Sequence, residues 1–242
     1  MRTIEVTRDT NFHTLNDEIC HLPESEITIQ GCLGQRYIAS GMSGKTINIY
    51  GTPGNALGAY LNGCTLHIYG NAQDAIGDTM NEGTICIHGS AGDAVGYAMR
   101  GGNILIEGNV GYRAGIHMKA YQQKCPQMVI GGCAGDFLGE YQAGGTIVVL
   151  GLNRGERNIV GAFCGTGMHG GKIFLRCKEV PHDLPPQVKT QPIYNGEKKE
   201  LECLVKKFCD TFGYSAEEIW KEDFLLLTAD SKNPYKQYYT AN

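Results

Sequence analysis

The chain has 242 residues, enough for one large domain or two small ones with a sizeable core. Its 21 Lys and Arg residues against 25 Asp and Glu residues give a net charge of −4, which offers no electrostatic attraction to nucleic acid or to anionic membrane surfaces. No stretch has the length of a signal-peptide core or of a membrane span of roughly 18 apolar residues, so we expect a cytoplasmic protein.

A glycine-rich repeat fills the middle of the chain, after an N-terminal segment of residues 1–26 that contains no glycine. Successive repeats are closed by glycines 19 residues apart, at Gly51, Gly70, Gly89 and Gly108. A short apolar strand precedes each closing position, at Ile47–Ile49, Leu66–Ile68, Ile85–Ile87, Ile104–Ile106, Met128–Ile130, Ile147–Val149 and Ile173–Leu175. Each repeat therefore consists of a strand, a glycine corner, a short apolar step and a second glycine corner.

One such unit cannot bury its apolar face alone, but stacked units can. We therefore predict an all-β fold: a single-stranded, right-handed parallel β-helix of about seven to eight coils of about 19 residues, with a short helical C-terminal extension. The extension is indicated by apolar residues at helical spacing between Leu201 and Phe212. The predicted boundaries are an N-terminal cap at 1–26, the β-helix at 27–177 and the extension at 178–242.

Several side-chain columns of the repeat have a structural and a chemical interpretation. Five of the seven methionines share one column, as expected of a core ladder, although thioethers also select copper. Asp74 and Asp93 fall on adjacent repeats, where they either share a cation such as Ca²⁺ or hydrogen-bond the backbone of their own turns. The segment from Ala39 to Thr46 matches a Walker A motif, but a strand follows it instead of the helix that a phosphate cradle needs.

The residue at the centre of each strand points away from the core and changes from polar to apolar along the stack. In chain order these residues are Asn48, His67, Cys86, Leu105, Val129, Val148 and Phe174. An exposed aliphatic strip would promote aggregation, so we expect the later repeats to be covered, either by the helix at about 197–211 or by a partner subunit. The candidate interface residues are therefore Leu105, Val129, Val148 and Phe174.

No pattern in the sequence indicates an active site. The seven histidines form no triad with cysteine or carboxylate residues at a usable spacing, and no nucleophile elbow or metalloprotease helix is present. The ten cysteines contain no CxxC pair and are expected to be reduced and mostly buried. We therefore predict no catalytic, cofactor-binding or metal-binding residues in this chain.

Three segments carry a resemblance to a known family: AGDAVGYAMRGGNILIEG (91–108), AGDFLGEYQAGGTIVVLG (134–151) and GTGMHGGKIFLR (165–176). They resemble the GXGXG repeat domain at the C-terminus of the glutamate synthase large subunit. The tail AEEIWKEDFLLLTADSKNPYKQYY (216–239) is similar to the extension of that domain. The resemblance implies an archaeal-type arrangement in which this domain is encoded as a separate subunit.

The resemblance implies a non-catalytic scaffold subunit of a multi-subunit glutamate synthase, which forms glutamate from 2-oxoglutarate and glutamine. Its partners would be an amidotransferase subunit and an FMN-binding synthase subunit that also carries an iron-sulfur cluster, and this chain would bind no cofactor itself. The same repeat occurs in a scaffold subunit of formylmethanofuran dehydrogenase, so a scaffold role in that complex is the alternative. A homo-oligomer and an autonomous enzyme on a β-helix also remain open.

Overall fold

The computed structural model describes residues 2–230. In this part of the chain the helices are α1 (Phe12–His21), α2 (Asn195–Phe212) and α3 (Ala216–Ile219). The strands are β1 (Arg2–Glu5), β2 (Glu26–Leu33), β3 (Thr46–Thr52), β4 (Asn62–Tyr69), β5 (Glu82–Ile87), β6 (Asn103–Ile106), β7 (Gln127–Ile130), β8 (Ala143–Val149), β9 (Gly170–Leu175), β10 (Val188–Gln191) and β11 (Leu225–Ala229).

All of these strands belong to one 11-stranded sheet in the order β1-β2-β3-β4-β5-β6-β7-β8-β9-β11-β10. Pairing is parallel from β1 to β9, and β11 and then β10 add to the end in antiparallel orientation. Each predicted apolar doublet lies in register with the next, as where Ile47 pairs with Leu66 and Leu66 with Ile85. The 19-residue repeat is thus confirmed as the register of the sheet.

The prediction of a right-handed parallel β-helix is wrong. A β-helix needs further strands in every coil to close the sheet around an axis, whereas the described strands form one open sheet with one strand per repeat. The rest of each repeat is mostly turn, with isolated parallel bridges such as that of Ala72 with Ala91. A single turn places Ala56, Gly58 and Tyr60 in the left-handed region. An alternation of left-handed residues cannot form an extended strand, which is why no second sheet develops.

The turns nevertheless stack on one another and form a turn layer against one face of the sheet. Ala56 N–H donates to the carbonyl of Asp74 at 2.9 Å, and Gly58 N–H donates to the carbonyl of Ile38 at 2.8 Å, so each turn is bonded to both neighbours. The main core lies between this layer and the sheet, where side chains such as Leu57 and Ile76 are fully buried with the strand doublets. Burial of these residues supplies most of the driving force for folding.

The first residues of the chain add to the same sheet and cover its start. β1 pairs with β2, and α1 begins at Asn11, whose side-chain oxygen accepts from the N–H of His13 at 2.8 Å. Leu15 and Ile19 on α1 are buried in the main core. The open edge of β1 is therefore short and flanked by a packed helix.

The predicted amphipathic helix is confirmed as α2, which ends at a left-handed Gly213. The C-terminal segment is not only helical, because β10 and β11 complete the sheet. Residues 231–242 of the predicted extension lie outside the described residues. Within the described part, no helix combines the length and apolar character that a membrane crossing requires.

Gly31 and Gly34 provide a matched test of how closely the repeats approach each other. Both have positive φ, +75° and +83°, but a Cβ at Gly31 would lie 2.5 Å from the carbonyl oxygen of Val6, whereas the space at Gly34 is open. We expect Gly34→Ala to cost about 1–2 kcal/mol for its backbone conformation alone. Gly31→Ala should cost clearly more, and urea denaturation of the two variants measures the difference. Equal losses would contradict the close packing of β1 on β2.

Candidate functional site

The four residues predicted as an interface lie together, and the chain itself covers them. Leu105, Val129, Val148 and Phe174 line the outer face of β6 to β9, and none exposes more than 1% of its surface. They pack in a second hydrophobic cluster against the apolar side of α2, which includes Phe208. The sequence left either the C-terminal helix or a partner subunit as the cover of these four residues, and in the structure the helix covers them. These side chains do not reach the surface of the chain.

Polar contacts at both ends fix α2 on the outer sheet face. Lys207 Nζ donates to the side-chain oxygen of Asn103 at 2.6 Å and to that of Gln127 at 3.3 Å. Lys172 Nζ donates to Oε2 of Glu200 at 2.8 Å, and the hydroxyl of Thr146 donates to Oε1 of the same carboxylate. The helix therefore runs from β9 back toward β5, and its position is set by side chains of four different strands.

Arg176 anchors the segment that follows α2. Its guanidinium donates to the carbonyl of Ile219 at 2.7 Å and to those of Leu150 and Glu218 at 3.3 Å. It also lies 3.3 Å from the carboxylate of Glu222. This one side chain connects the sheet to α3 and to the loop that leads into β11.

The outer face of the earlier strands lies beyond the end of α2. Thr28, Asn48 and His67 are only partly buried there, although they occupy the same outward column as the covered residues. Beside them Tyr50 and Tyr69, 40% and 38% exposed, form a row with a histidine. We call the row of Tyr50, Tyr69 and His88 the outer aromatic ladder.

The rings of the outer aromatic ladder stack on one another at the spacing of the strands. The centroids of Tyr50 and Tyr69 are 4.6 Å apart, and those of Tyr69 and His88 are 4.7 Å apart. Phe212, at the end of α2, meets His88 edge-on at 5.0 Å. The ladder is therefore continuous with the helix, and together they form a partly apolar surface with a polar column beside it.

His67 is a perturbed polar group on this surface. Burial, and secondarily the neighbouring His88, lowers the pKa of its imidazole below the usual value. Its Nδ1 is buried, and no group within residues 2–230 hydrogen-bonds to it. The imidazole is therefore held neutral on a surface that also contains Tyr69, whose ring centroid is 6.4 Å away.

The aspartate column is used to hold the repeats together. Asp74 Oδ1 accepts from the N–H of Asp93 at 2.9 Å, and Asp93 Oδ1 accepts from the N–H of Tyr112 at 2.8 Å. Each carboxylate therefore bonds the next repeat, not its own turn as we expected. No group of three potential metal-ligating side chains could hold an ion in the described part of the chain.

The other motifs also have structural roles. Met80, Met99, Met118 and Met168 are fully buried, which confirms the core ladder, whereas Met42 is only partly buried. In the Walker A match, the ammonium of Lys45 donates to the carbonyls of Leu22 at 2.7 Å and Glu24 at 3.1 Å, so it ties the N-terminal segment to the stack. These contacts occupy the groups that copper or phosphate binding would need.

The described cysteines are free thiols, several of them deeply buried. Burial raises the pKa of Cys164 to about 12 and that of Cys86 to about 11. A thiol that stays protonated is a poor nucleophile and a poor metal ligand. The expectation that most of the thiols are buried is confirmed, with Cys20, Cys125 and Cys203 as the exposed ones.

A cavity of about 540 Å³ lies between the loop at 154–158 and the segment at 177–183. Acidic and basic side chains alternate along its wall, among them Arg154, Arg157, Glu179 and Glu222. Arg157 donates to the carbonyls of its own loop, and Arg154 lies 4.0 Å from the carboxylate of Glu222. The lining favours no single class of charged ligand.

The outer aromatic ladder is the feature that sequence reasoning missed. The signal was present, because Tyr50 and Tyr69 are 19 residues apart and each follows the outward strand residue by two positions. In the sequence His67 and His88 stand one column apart on adjacent repeats, where no triad with cysteine or carboxylate residues includes them. Where α2 ends, and hence which part of the outer face stays uncovered, depends on tertiary contacts that no local pattern encodes.

Comparison with known proteins agrees with this architecture. Residues 24–226 match the model of the GXGXG motif family. An uncharacterized protein of Methanocaldococcus jannaschii is 38% identical over 246 aligned positions, which cover 96% of this chain and 94% of that protein. A chain in the crystal structure of the formyltransferase/hydrolase complex from Methylorubrum extorquens with methylofuran has the same fold. The superposition has a TM-score of 0.60 and 22% sequence identity, and it covers 81% of this chain and 70% of that chain.

Val148 and Asn48 occupy the same outward column, one beneath α2 and one outside it. Val148→Asp places an unpaired carboxylate in the second hydrophobic cluster, so we expect a loss of about 3–5 kcal/mol of unfolding free energy. Asn48→Asp should change stability by no more than about 0.5 kcal/mol. Chemical denaturation compares the two. A Val148→Asp variant with the stability of the original chain would show that α2 does not cover this column.

His67 should make the protein less stable in acid. Its pKa in the folded chain is lowered, so the unfolded chain takes up the proton first, and the contribution of neutral His67 is lost as the pH falls below about 6.5. In urea denaturation across this range, the original chain should lose more stability than His67→Gln. The same change at exposed His182 is the control and should leave the pH dependence unaltered.

Proposed function

Because the chain belongs to the GXGXG motif family, the family of the glutamate synthase-type domain, we propose that it is a non-catalytic scaffold subunit of a multi-subunit enzyme complex. The observation that carries the proposal is the division of the outer sheet face. α2 covers the later strands, and the outer aromatic ladder leaves a partly apolar surface open on the earlier ones.

The chemistry-bearing side chains of the repeats support a structural role. Asp74 and Asp93 accept amides of the next repeat, and Lys45 donates to backbone carbonyls. A catalytic carboxylate or lysine must be free to exchange protons with a substrate. Groups that already hold the backbone in register serve the fold first, which supports contact as the function of this chain.

The open surface has the character of a protein-protein interface. Aromatic residues are enriched in such interfaces because they bury a large area with little loss of side-chain entropy. Tyr50 and Tyr69 are immobilised by stacking, so little further ordering is required when a partner binds. The partly buried Asn48 and His67 beside them provide polar contacts that can fix the orientation of a partner.

Of the two complexes considered, the formylmethanofuran dehydrogenase type has the better support. The structural neighbour belongs to a formyltransferase/hydrolase complex that contains bound methylofuran. That likeness, at 22% identity, concerns the fold, and the assignment of this chain to such a complex is our proposal. Its partners would then be the catalytic subunits of a complex of that type.

Glutamate synthase is the second candidate, and the family match favours it. In this case the partners would be an amidotransferase subunit and an FMN-binding synthase subunit. FMN and the iron-sulfur cluster would be bound by those partner chains and not by this one. The two candidates share the same role for this chain and differ in the subunits that it holds.

Co-expression distinguishes the candidates. We expect the tagged chain to co-purify in a fixed ratio with one of two sets from the same genome: subunits of the formylmethanofuran dehydrogenase type, or the amidotransferase and FMN-binding subunits. Tyr69→Asp should reduce the recovery of the partners at least about tenfold, because it places a charge in the centre of the open surface. Tyr194→Asp, at the exposed start of α2, is the matched control. Recovery of neither set would refute the proposal.

A further inference from the structure

The turn layer exposes a second surface, on the side of the molecule opposite to the outer aromatic ladder. In each repeat three alternating turn residues adopt left-handed conformations. We call the first of these positions the first left-handed column. Its members are Tyr37, Ala56, Ala75, Ala94, Arg113, Phe137 and Phe163.

Tyr37 begins this column beside Phe12, with the ring centroids 5.9 Å apart, and the residues after it change character halfway along the stack. Ala56, Ala75 and Ala94 form a run of small residues, whereas Arg113, Phe137 and Phe163 are bulky. Phe137 and Phe163 stack with centroids 5.1 Å apart, and the guanidinium of Arg113 lies 4.9 Å above the ring of Phe137. The bulky half is therefore an ordered ridge next to a flat surface.

The ridge residues occupy backbone conformations that carry an energetic cost. A non-glycine side chain in the left-handed region is disfavoured, and bulky residues are rare there. Phe163 nevertheless leaves 51% of its surface exposed. Bulky exposed residues in strained conformations concentrate where a binding partner supplies the missing contacts.

Charge divides along the same boundary. Arg113 pairs with Glu140 at 3.0 Å, but the arginine side chain is 51% exposed and the glutamate 12%, so positive charge faces outward. Next to the small half, Asp74 and Asp93 are exposed, and the structure gives each a hydrogen bond to one carboxylate oxygen. The flat half is thus acidic, whereas the ridge begins with the outward positive charge of Arg113 and continues with aromatic rings beside the partly buried Asp136.

We propose that the turn layer binds the turn layer of a second copy of this chain in antiparallel orientation. A two-fold interface requires a surface that is complementary to itself, and here both complementary halves lie side by side on one face. A two-fold axis in the interface, between the repeats of Asp93 and Arg113, sets Arg113 against Asp93 of the partner subunit. The same axis sets Phe137 against Ala75 of the partner subunit.

A second copy accounts for more of this face than a different chain would. A different partner would need to match the ridge alone, and the small, acidic half would have no role. In the antiparallel pair each ridge covers the flat half of the other copy, so the contact between a ridge and a flat half occurs twice in the dimer. The pairing uses a different face from the outer aromatic ladder and is independent of the proposed scaffold role.

Sedimentation velocity on the full chain tests the pairing. We expect a dimer at micromolar concentration, and we expect Arg113→Glu to raise its dissociation constant at least about tenfold, because a carboxylate then faces Asp93 of the partner subunit at each of the two symmetry-related contacts. Ala75→Arg should have a similar effect, since it fills the space that receives Phe137. The first left-handed column already accommodates arginine at Arg113, so this change is compatible with the fold.

The double variant Arg113→Glu with Ala94→Arg provides the rescue. It reverses the charge pair across the interface while the hydrogen bond of Asp93 to Tyr112 stays in place, and it should recover most of the lost affinity. Tyr50→Ser, on the outer sheet face, is the control and should leave dimerisation unchanged. A monomeric chain at micromolar concentration, or a dimer that resists both Arg113→Glu and Ala75→Arg, would overturn the proposal.

Discussion

The structure depends on backbone contact between neighbouring repeats, most of which are spaced 19 residues apart, as where Ile47 pairs with Leu66. Where the strands approach most closely the carbonyls leave no room for a side chain: a Cβ at Gly51 would lie 2.1 Å from the carbonyl oxygen of Cys32, and one at Gly70 would lie 2.3 Å from that of Gly51. This contact fixes the register, and the register decides which side of every strand faces the core. The covered cluster and the exposed ladder both follow from it.

The register could be predicted because local sequence specifies it, through the closing glycines and the apolar doublets such as Ile47 and Ile49. The conformation of the chain between the end of one strand and the start of the next could not be predicted. Only the middle left-handed position of each turn is a recurrent glycine, as at Gly58, while its neighbours Ala56 and Tyr60 adopt the same conformation without one. Because those residues gave no signal, a closed helix of strands was expected where stacked turns occur.

The candidate site could also be predicted from the sequence only in part, because tertiary contacts decide the rest. The change from Asn48 to Val148 along the outward column indicated that the later repeats are covered, and α2 covers them. The extent of the cover depends on contacts far apart in sequence, such as that of Lys207 with Asn103. The antiparallel addition of β11 beside β9 was not expected, since its apolar run resembles an ordinary tail segment.

A stack held by backbone register differs physically from a conventional enzyme scaffold. Several of its charged groups join one repeat to the next, as Asp74 does, and burial raises the pKa of thiols such as Cys86. What remains variable is the surface of each column, because a residue there can change without altering the register. Tyr50 and Tyr69 on one face and Phe137 and Phe163 on the other lie at such positions. A fold of this kind can acquire new contacts one repeat at a time, which suits a chain whose function is to hold others in place.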